Sequence, residues 1–398
     1  MLRRLAFVCS LVLAVTALSQ TKLTVIADIE NANPRLAITS YSGPAGMRTL
    51  LTNVLKRSDW FNLATTAAKA HYRVDARYTA GTPASLQLRV APRKGRGFIL
   101  TQPAAPGLPA EDVVYRAVDA MIKKLFGVPG PCSAPIAFAM GAPGNLKEVF
   151  TCRFDGSNMQ RLTNNNSIST EPSWGVGNQR LVYTAYSGNA TSVVMVDMLR
   201  KRQRRLSRFR GLNAGADLSP NGQWAALSLS RDQRIDLYLL VVASGKIKRL
   251  TQDSHVESSP CWSPSGSEIC YVSDRAGKPR LCIVSANGGK GRLLDTGSRA
   301  ETVSPDWSPV SNKICFSRRM GGQYAIGVLD MKTRKSKILT RVAGDWESPS
   351  WSPDGRHIVC SRRLGANSSL YMVDSHQGTF MPITRGGDHS LPSWGHSR

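Results

Sequence analysis

Four glutamates and a histidine recur along the carboxy-terminal two thirds of the chain: Glu171, Glu257, Glu301, Glu347 and His389. Each stands three to six residues before an apolar anchor, five of which are tryptophans, with Thr170, Ser259, Ser304, Ser348 and Ser390 beside them. Carboxylates and hydroxyls at such a recurrence can gather around one opening. There they can bind a cation, orient the basic groups of a partner, or cap turns and balance nearby arginines. Other chemistry lacks its residues. There is no G-x-S-x-G elbow for an acyl-transfer serine, no H-E-x-x-H or G-x-x-x-x-G-K, and no C-x-x-C. The six histidines, at 71, 255, 357, 376, 389 and 396, show no close pairing. These positions suggest solvated or packing roles.

The elements that must position the acidic set come from counting. Anchors stand at Trp174, Leu218, Trp262, Trp307, Trp351 and Trp394, at intervals of 44, 44, 45, 44 and 43 residues. A fixed period of this length marks a repeat architecture. In the copy around Trp351, Ser348 to Ser352 reads as a short strand and Ser352-Pro353-Asp354-Gly355 as a tight turn. "HIVCSRR", "SSLYMVD" and "FMPITR" supply three more strands. Four antiparallel strands per repeat describe a propeller blade. Outer strands end near Thr163, Ser207, Thr251, Thr296, Thr340 and Thr384, so there are six blades. The first lacks an innermost strand and the last anchor has nothing after it. Residues Asp388 to Arg398 can therefore complete the first blade and close the ring.

The remainder divides into short segments. Residues 1–19 read as a cleavable secretory signal, with Arg3 and Arg4 before an apolar run. Residues 20–128 mix strands such as "KLTVIAD" and "RLAITSY" with helical periodicity in "GMRTLLTNVLKRS" and "AEDVVYRAVDAMIKKLFG", which predicts a small α/β domain. "YRVDARYT" and "SLQLRVA" predict a hairpin within it. Residues 129–133 form a Gly- and Pro-rich linker, and 134–398 the propeller. The fold class is thus mainly β: a six-bladed β-propeller closed by its C-terminal strand, preceded by a small α/β domain.

A formal net charge of +25 favours acidic partners. The densest basic run, "RKRQRRLSRFR" from Arg200 to Arg210, reads as a solvated edge strand protected by its charges, because no aromatic stacking pattern accompanies it. Beyond Cys9 there are seven cysteines. Cys270, Cys315 and Cys360 take equivalent places in second strands, where a thiol packs, while Cys132 and Cys152 are better placed for crosslinking.

A signal sequence, an α/β domain opening "KLTVIADIENANPRLAI", a helix ending "LKRSDWFNLA", and six W-S-P-D-G-type repeats ending in "PSW" together resemble the TolB family of the Tol-Pal system, over essentially the whole mature chain. The resemblance implies a non-enzymatic periplasmic adaptor that supports outer-membrane integrity and constriction at cell division. It implies a channel mouth that binds the peptidoglycan-associated lipoprotein, here through Thr170, Glu171, Asn213, Asp217, Glu257, Ser259, Glu301, Glu347 and His389. It further implies an amino-terminal extension from Thr21, Lys22, Leu23, Thr24, Val25 and Ile26 to Pro34, with TolA as its candidate partner. A monomer, tied to the outer membrane through the lipoprotein, without cofactor, metal or nucleic acid, completes this expectation. The competing reading is a secreted propeller hydrolase or metal-dependent enzyme that uses the channel carboxylates. The high positive charge, the cysteines and Leu218 in place of Trp depart from the family pattern.

Overall fold

The computed structural model describes residues 33–231 and 234–396. They belong to two compact units, one ending at Gly127 and the other beginning at Val128. The signal sequence, "KLTVIAD" and most of the amino-terminal extension lie outside the described residues.

In the first unit, strand β1 (Arg35–Ser42) is flanked by β2 (Asn62–Leu63) and β3 (Tyr72–Thr79), both parallel to it. Strands β4 (Ser85–Pro92) and β5 (Phe98–Pro103) continue the sheet antiparallel. Helix α1 (Ala45–Arg57) buries Leu51, Val54 and Leu55, the inward part of its apolar stripe. Helix α2 (Asp112–Phe126) buries Val113, Val114, Ala117, Val118, Met121 and Ile122. Lys123 and Lys124 face its negative end, and Gly127, at φ 78°, stops it in a left-handed cap.

The second unit consists of six four-stranded antiparallel sheets. Blade I takes its innermost strand, His389–Trp394, from the end of the chain and pairs it with Ile136–Ala142, followed by Leu146–Cys152 and Gln160–Arg161. Blades II to VI follow in sequence, with innermost strands Ser169–Trp174, Asn213–Leu218, Glu257–Trp262, Thr302–Trp307 and Asp345–Trp351.

Five of the six anchors pack against the preceding blade. Trp262 lies on Ala226, Leu237 and Leu239 of blade III, and Trp307 on Cys270, Leu281 and Ile283 of blade IV. Trp351 lies on Cys315, Ile326 and Val328 of blade V, and Trp174 on Ala137 and Val149 of blade I. Leu218 does the same with Val182, Val193 and Met195. A flat side chain inserted between two sheets removes apolar surface from both at once, and truncating such a Trp costs about 3–5 kcal/mol. The cysteines of the second strands form part of these contacts, as their recurrence suggests. All seven described cysteines are buried, Cys132 and Cys152 included.

The recurring outer-strand Thr has a local cause. The outer strand is too short to satisfy the third strand along its whole length, so a hydroxyl takes over where its backbone ends. Val149, Leu237, Ile326 and Leu370 donate their N–H groups to the Oγ1 atoms of Thr163, Thr251, Thr340 and Thr384 at 2.9 to 3.0 Å. Blade IV departs from this pattern: its longer "GRLLDT" ending shifts Thr296, and Leu281 N–H goes to Thr302 at 3.3 Å instead.

Because blade I borrows its inner strand, removing residues 388–398 strips it of a paired strand and of Trp394 together. We expect the truncated chain to lose its single sharp thermal transition, followed by circular dichroism. A transition as sharp and as high as that of the parent would contradict closure by this strand.

Candidate functional site

The innermost strands enclose a central channel, and each is broken at the same place. Glu171, Gly215, Ser259, Ser304, Ser348 and Leu391, each three residues before its anchor, adopt positive φ of 51 to 61°. Every one coincides with a slip in register between the innermost and second strands. Such a bulge re-aims the side chains around it. Three successive positions of every inner strand consequently line the channel. For the five non-glycine residues the left-handed conformation costs about 1–2 kcal/mol each. Strain repeated at one level of a ring is the kind that clusters at binding sites.

Just inside lies a second ring, made by the residues immediately before the anchors: Ser173, Asp217, Cys261, Asp306, Ser350 and Ser393. They join neighbouring blades. Trp262 and Trp351 donate their backbone N–H groups to Asp217 Oδ2 (2.8 Å) and Asp306 Oδ2 (2.6 Å), while Trp394 and Trp174 donate theirs to Ser350 Oγ (3.0 Å) and Ser393 Oγ (3.1 Å). Ser173 Oγ donates to Asp217 Oδ1 at 2.8 Å. The channel between the two rings is narrow, about 160 Å³. Desolvation pushes Asp217 up to about 6, against the pull of the Trp262 N–H and the Ser173 hydroxyl. It pushes Asp306 up to about 7, with the Asp217 charge adding to the rise.

Comparison with known proteins places this geometry. The TolB beta propeller domain family matches residues 122–398. The chain belongs to that family. Curated relatives include a Protein TolB homolog of Chlorobium luteolum, 30% identical over 43% of this chain and 39% of that protein. A Tol-Pal system protein TolB of Francisella tularensis is 28% identical over 36% of this chain and 34% of that protein. The chain thus aligns with well under half the length of these relatives. The crystal structure of TolB from Acinetobacter baumannii is similar in fold, with a TM-score of 0.81 at 20% identity, covering 92% of this chain and 97% of that one.

Of the residues to which the TolB resemblance points, Glu171, Asp217 and Ser259 line the channel, together with Ser304 and Ser348. Glu171 Oε2 also accepts from Thr184 Oγ1 (2.8 Å) and the Gly215 N–H (3.0 Å), which ties blade II to blade III. Others are turned into the blades. Asn213 is buried, and its side chain bonds Phe209 N–H and the carbonyls of Phe209 and Gly211. Glu257, fully buried, accepts from Arg275 at 2.9 Å, and Arg275 also holds Asp253 at 2.6 Å. His389 is buried with Nδ1 3.2 Å from Thr384 Oγ1, and desolvation lowers its pKa by disfavouring the charged ring. Thr170 is buried opposite Thr184. Glu301 accepts from the Tyr324 hydroxyl, and Glu347 is half-buried with its pKa raised by desolvation and by Asp345.

One acidic ring is therefore not what the strands build. The four glutamates and His389 lie at three, five, six, four and five residues before their anchors, and the pleat sends alternate positions to opposite faces. Asp306, Cys261 and the serines just before the anchors escaped the sequence reading. Their signal was present, since they share one repeat position, but only the inter-blade hydrogen bonds give it meaning.

The raised carboxyls set a pH dependence. An acid whose folded pKa exceeds its unfolded value binds more protons when folded, so stability falls as pH rises between the two values. For Asp217 and Asp306 that window runs from their ordinary 3.8 to about 6 and about 7. We expect the melting temperature to drop by roughly several degrees between pH 5 and pH 8. The Asp217→Asn/Asp306→Asn variant should lose part of that slope in differential scanning calorimetry, the buried Glu257, raised to about 6 by desolvation, keeping a share of the rest, and an unchanged slope would show that Asp217 and Asp306 titrate normally.

Proposed function

We propose that this chain is a non-enzymatic adaptor of a Tol-Pal system, acting in the periplasm, and that its channel mouth docks the peptidoglycan-associated lipoprotein. On this reading it supports outer-membrane integrity and constriction during cell division. The observation that carries the docking role is the ring of six left-handed bulges, which holds side chains at the mouth in conformations they would not adopt freely. Preorganised groups lose little entropy when a partner arrives. The names of the Francisella and Desulfosudis oleivorans relatives, both Tol-Pal system protein TolB, agree with the assignment.

A propeller hydrolase fits the same wall less well. A channel of about 160 Å³ falls below the few hundred Å³ of ordinary small-molecule sites. Among the described residues its lining brings no imidazole to the serines, and the two carboxyls of the inner ring accept hydrogen bonds from the next blade. Among the described residues no helix is long and apolar enough to cross a membrane. The reading also includes an amino-terminal extension, Thr21 to Pro34, that engages TolA, and a monomeric adaptor held at the outer membrane through the lipoprotein.

Isothermal titration of the lipoprotein's soluble domain tests the mouth. Ser259→Arg and Ser304→Arg place bulk and charge at two bulges. Each is expected to raise Kd at least about tenfold, which is 1.4 kcal/mol, with little change in melting temperature. Unchanged affinity in both variants would place the docking surface elsewhere. Deleting residues 21–33 is expected to abolish TolA binding while leaving lipoprotein affinity within about twofold, apart from any allosteric coupling between the sites. Loss of both would mean that the extension and the mouth are not separable.

A further inference from the structure

Antiparallel order fixes which turns share an end of the propeller. Innermost and third strands run one way, second and outer strands the other. The turns joining innermost to second strands and third to outer strands therefore project from the end opposite the channel mouth. In blades II to V the third-to-outer turns and the outer strands beside them are basic. Blade III exposes Lys246 and Lys248, blade IV Lys290 and Arg292, and blade V contributes "KTRKSK". Blade II is the extreme case, with five exposed cations from Arg200 to Arg205 in its turn and outer strand. Its nearest carboxylate, Asp197, offsets only Arg200, at 3.4 Å.

At the tip of that basic hairpin stands an apolar residue. Leu199 occupies the turn between Ala190–Asp197 and Arg202–Ser207 and is 75% exposed, more than any other large hydrophobic among the described residues. Lys201, at φ 50°, turns the chain directly behind it, so the leucine is flanked by Arg200, Lys201 and Arg202. Beside the tip, a groove of about 860 Å³ between blades II and III is lined by Arg180, Arg200, Arg202 and Arg204 around the half-buried Trp224. A solvated edge strand needs cations for protection. It does not need a leucine presented beyond them.

We propose that the propeller end opposite the channel mouth docks on an anionic lipid bilayer, with the Leu199 hairpin entering the headgroup layer and the flanking arginines taking lipid phosphates. An exposed apolar tip ringed by cations joins the two attractions used at membrane surfaces, apolar burial and the pull of anionic headgroups. In the groove Arg180 and Arg204 are braced on the carbonyls of Gly222, Val242 and Ala243, which leaves Arg202 and their remaining N–H donors for a phosphate. The contact leaves the channel mouth free, so lipid and protein partner can be held at once.

The test uses the full mature chain without any protein partner, sedimented with vesicles of phosphatidylcholine alone or mixed in equal parts with phosphatidylglycerol. Binding to the mixed vesicles only, lost at high salt, is expected. Arg200→Gln/Lys201→Gln/Arg202→Gln should weaken it about a hundredfold, at roughly fivefold per charge near the surface, and Leu199→Ser by roughly fivefold. A control, Arg73→Gln/Arg77→Gln/Arg89→Gln, removes three exposed charges from the first unit's sheet and should leave binding near that of the parent. Absence of binding to mixed vesicles overturns the proposal, as does equal weakening by the control, which would reduce the effect to net charge. Duplex DNA bound as tightly as the vesicles, with Leu199→Ser without effect on either, would make the run a general polyanion surface and likewise overturn it. Inorganic phosphate as competitor should displace little, since the leucine and the several headgroups are engaged together.

Discussion

Burial of one apolar anchor side chain between consecutive blades is the interaction from which the propeller follows. Each blade presents an apolar face that it cannot cover itself, and the next blade's anchor covers it. Nearest-neighbour packing of this kind has no natural end. It leaves one uncovered face at the start of the array and one unpaired edge at its finish, and closing the ring removes both. The borrowed strand His389–Trp394 therefore ties the two ends of the array to one another: it pairs with blade I, and the buried Trp394 donates its backbone N–H to Ser350 of blade VI.

The channel inherits its character from that closure. Six inner strands converge at the axis, and the residue before each anchor faces the neighbouring blade at the closest point of approach. Serine and aspartate there accept N–H groups from the next anchor, so the wall that bounds the channel is also the seam between blades. The bulge two residues earlier turns the chain so that mouth and wall are lined by successive side chains of one strand. Packing and recognition are thus separated by only a few residues. On the proposed docking, substitutions at the wall are felt as stability, and substitutions at the bulges as binding.

Exposed cations stand at both ends of the propeller, with Arg231, Arg234, Arg299, Arg341 and Arg385 at the mouth end. The mouth carries Glu171 and hydroxyls, and the two buried carboxyls lie just inside it. The opposite end carries the lysines and arginines of the third-to-outer turns. A net charge of +25 attracts the molecule to an anionic surface, and on the proposed docking the exposed Leu199 hairpin orients it there. Such an arrangement would hold the mouth away from the surface, toward a protein partner.

Much of this was legible in the sequence. The period of the anchors, the turn chemistry after them and the six Thr-type endings determine six four-stranded blades, and the half-copies at either end determine closure, because local spacing reports strand order directly. The helices of the first unit were equally visible in their apolar stripes. The placement of the candidate site residues was not. Glu257, Asn213 and His389 look like mouth residues by position and are buried inside blades, while Asp306 and Cys261 look incidental and form the wall. The difference lies in the bulge. A single left-handed residue before each anchor reverses which side chains face the axis, and its backbone angle is set by the packing of one strand against two neighbours rather than by the residue itself, which is Glu, Gly, Ser or Leu. Spacing along the chain therefore decided the architecture, and only the assembled ring decided which side chains its channel presents.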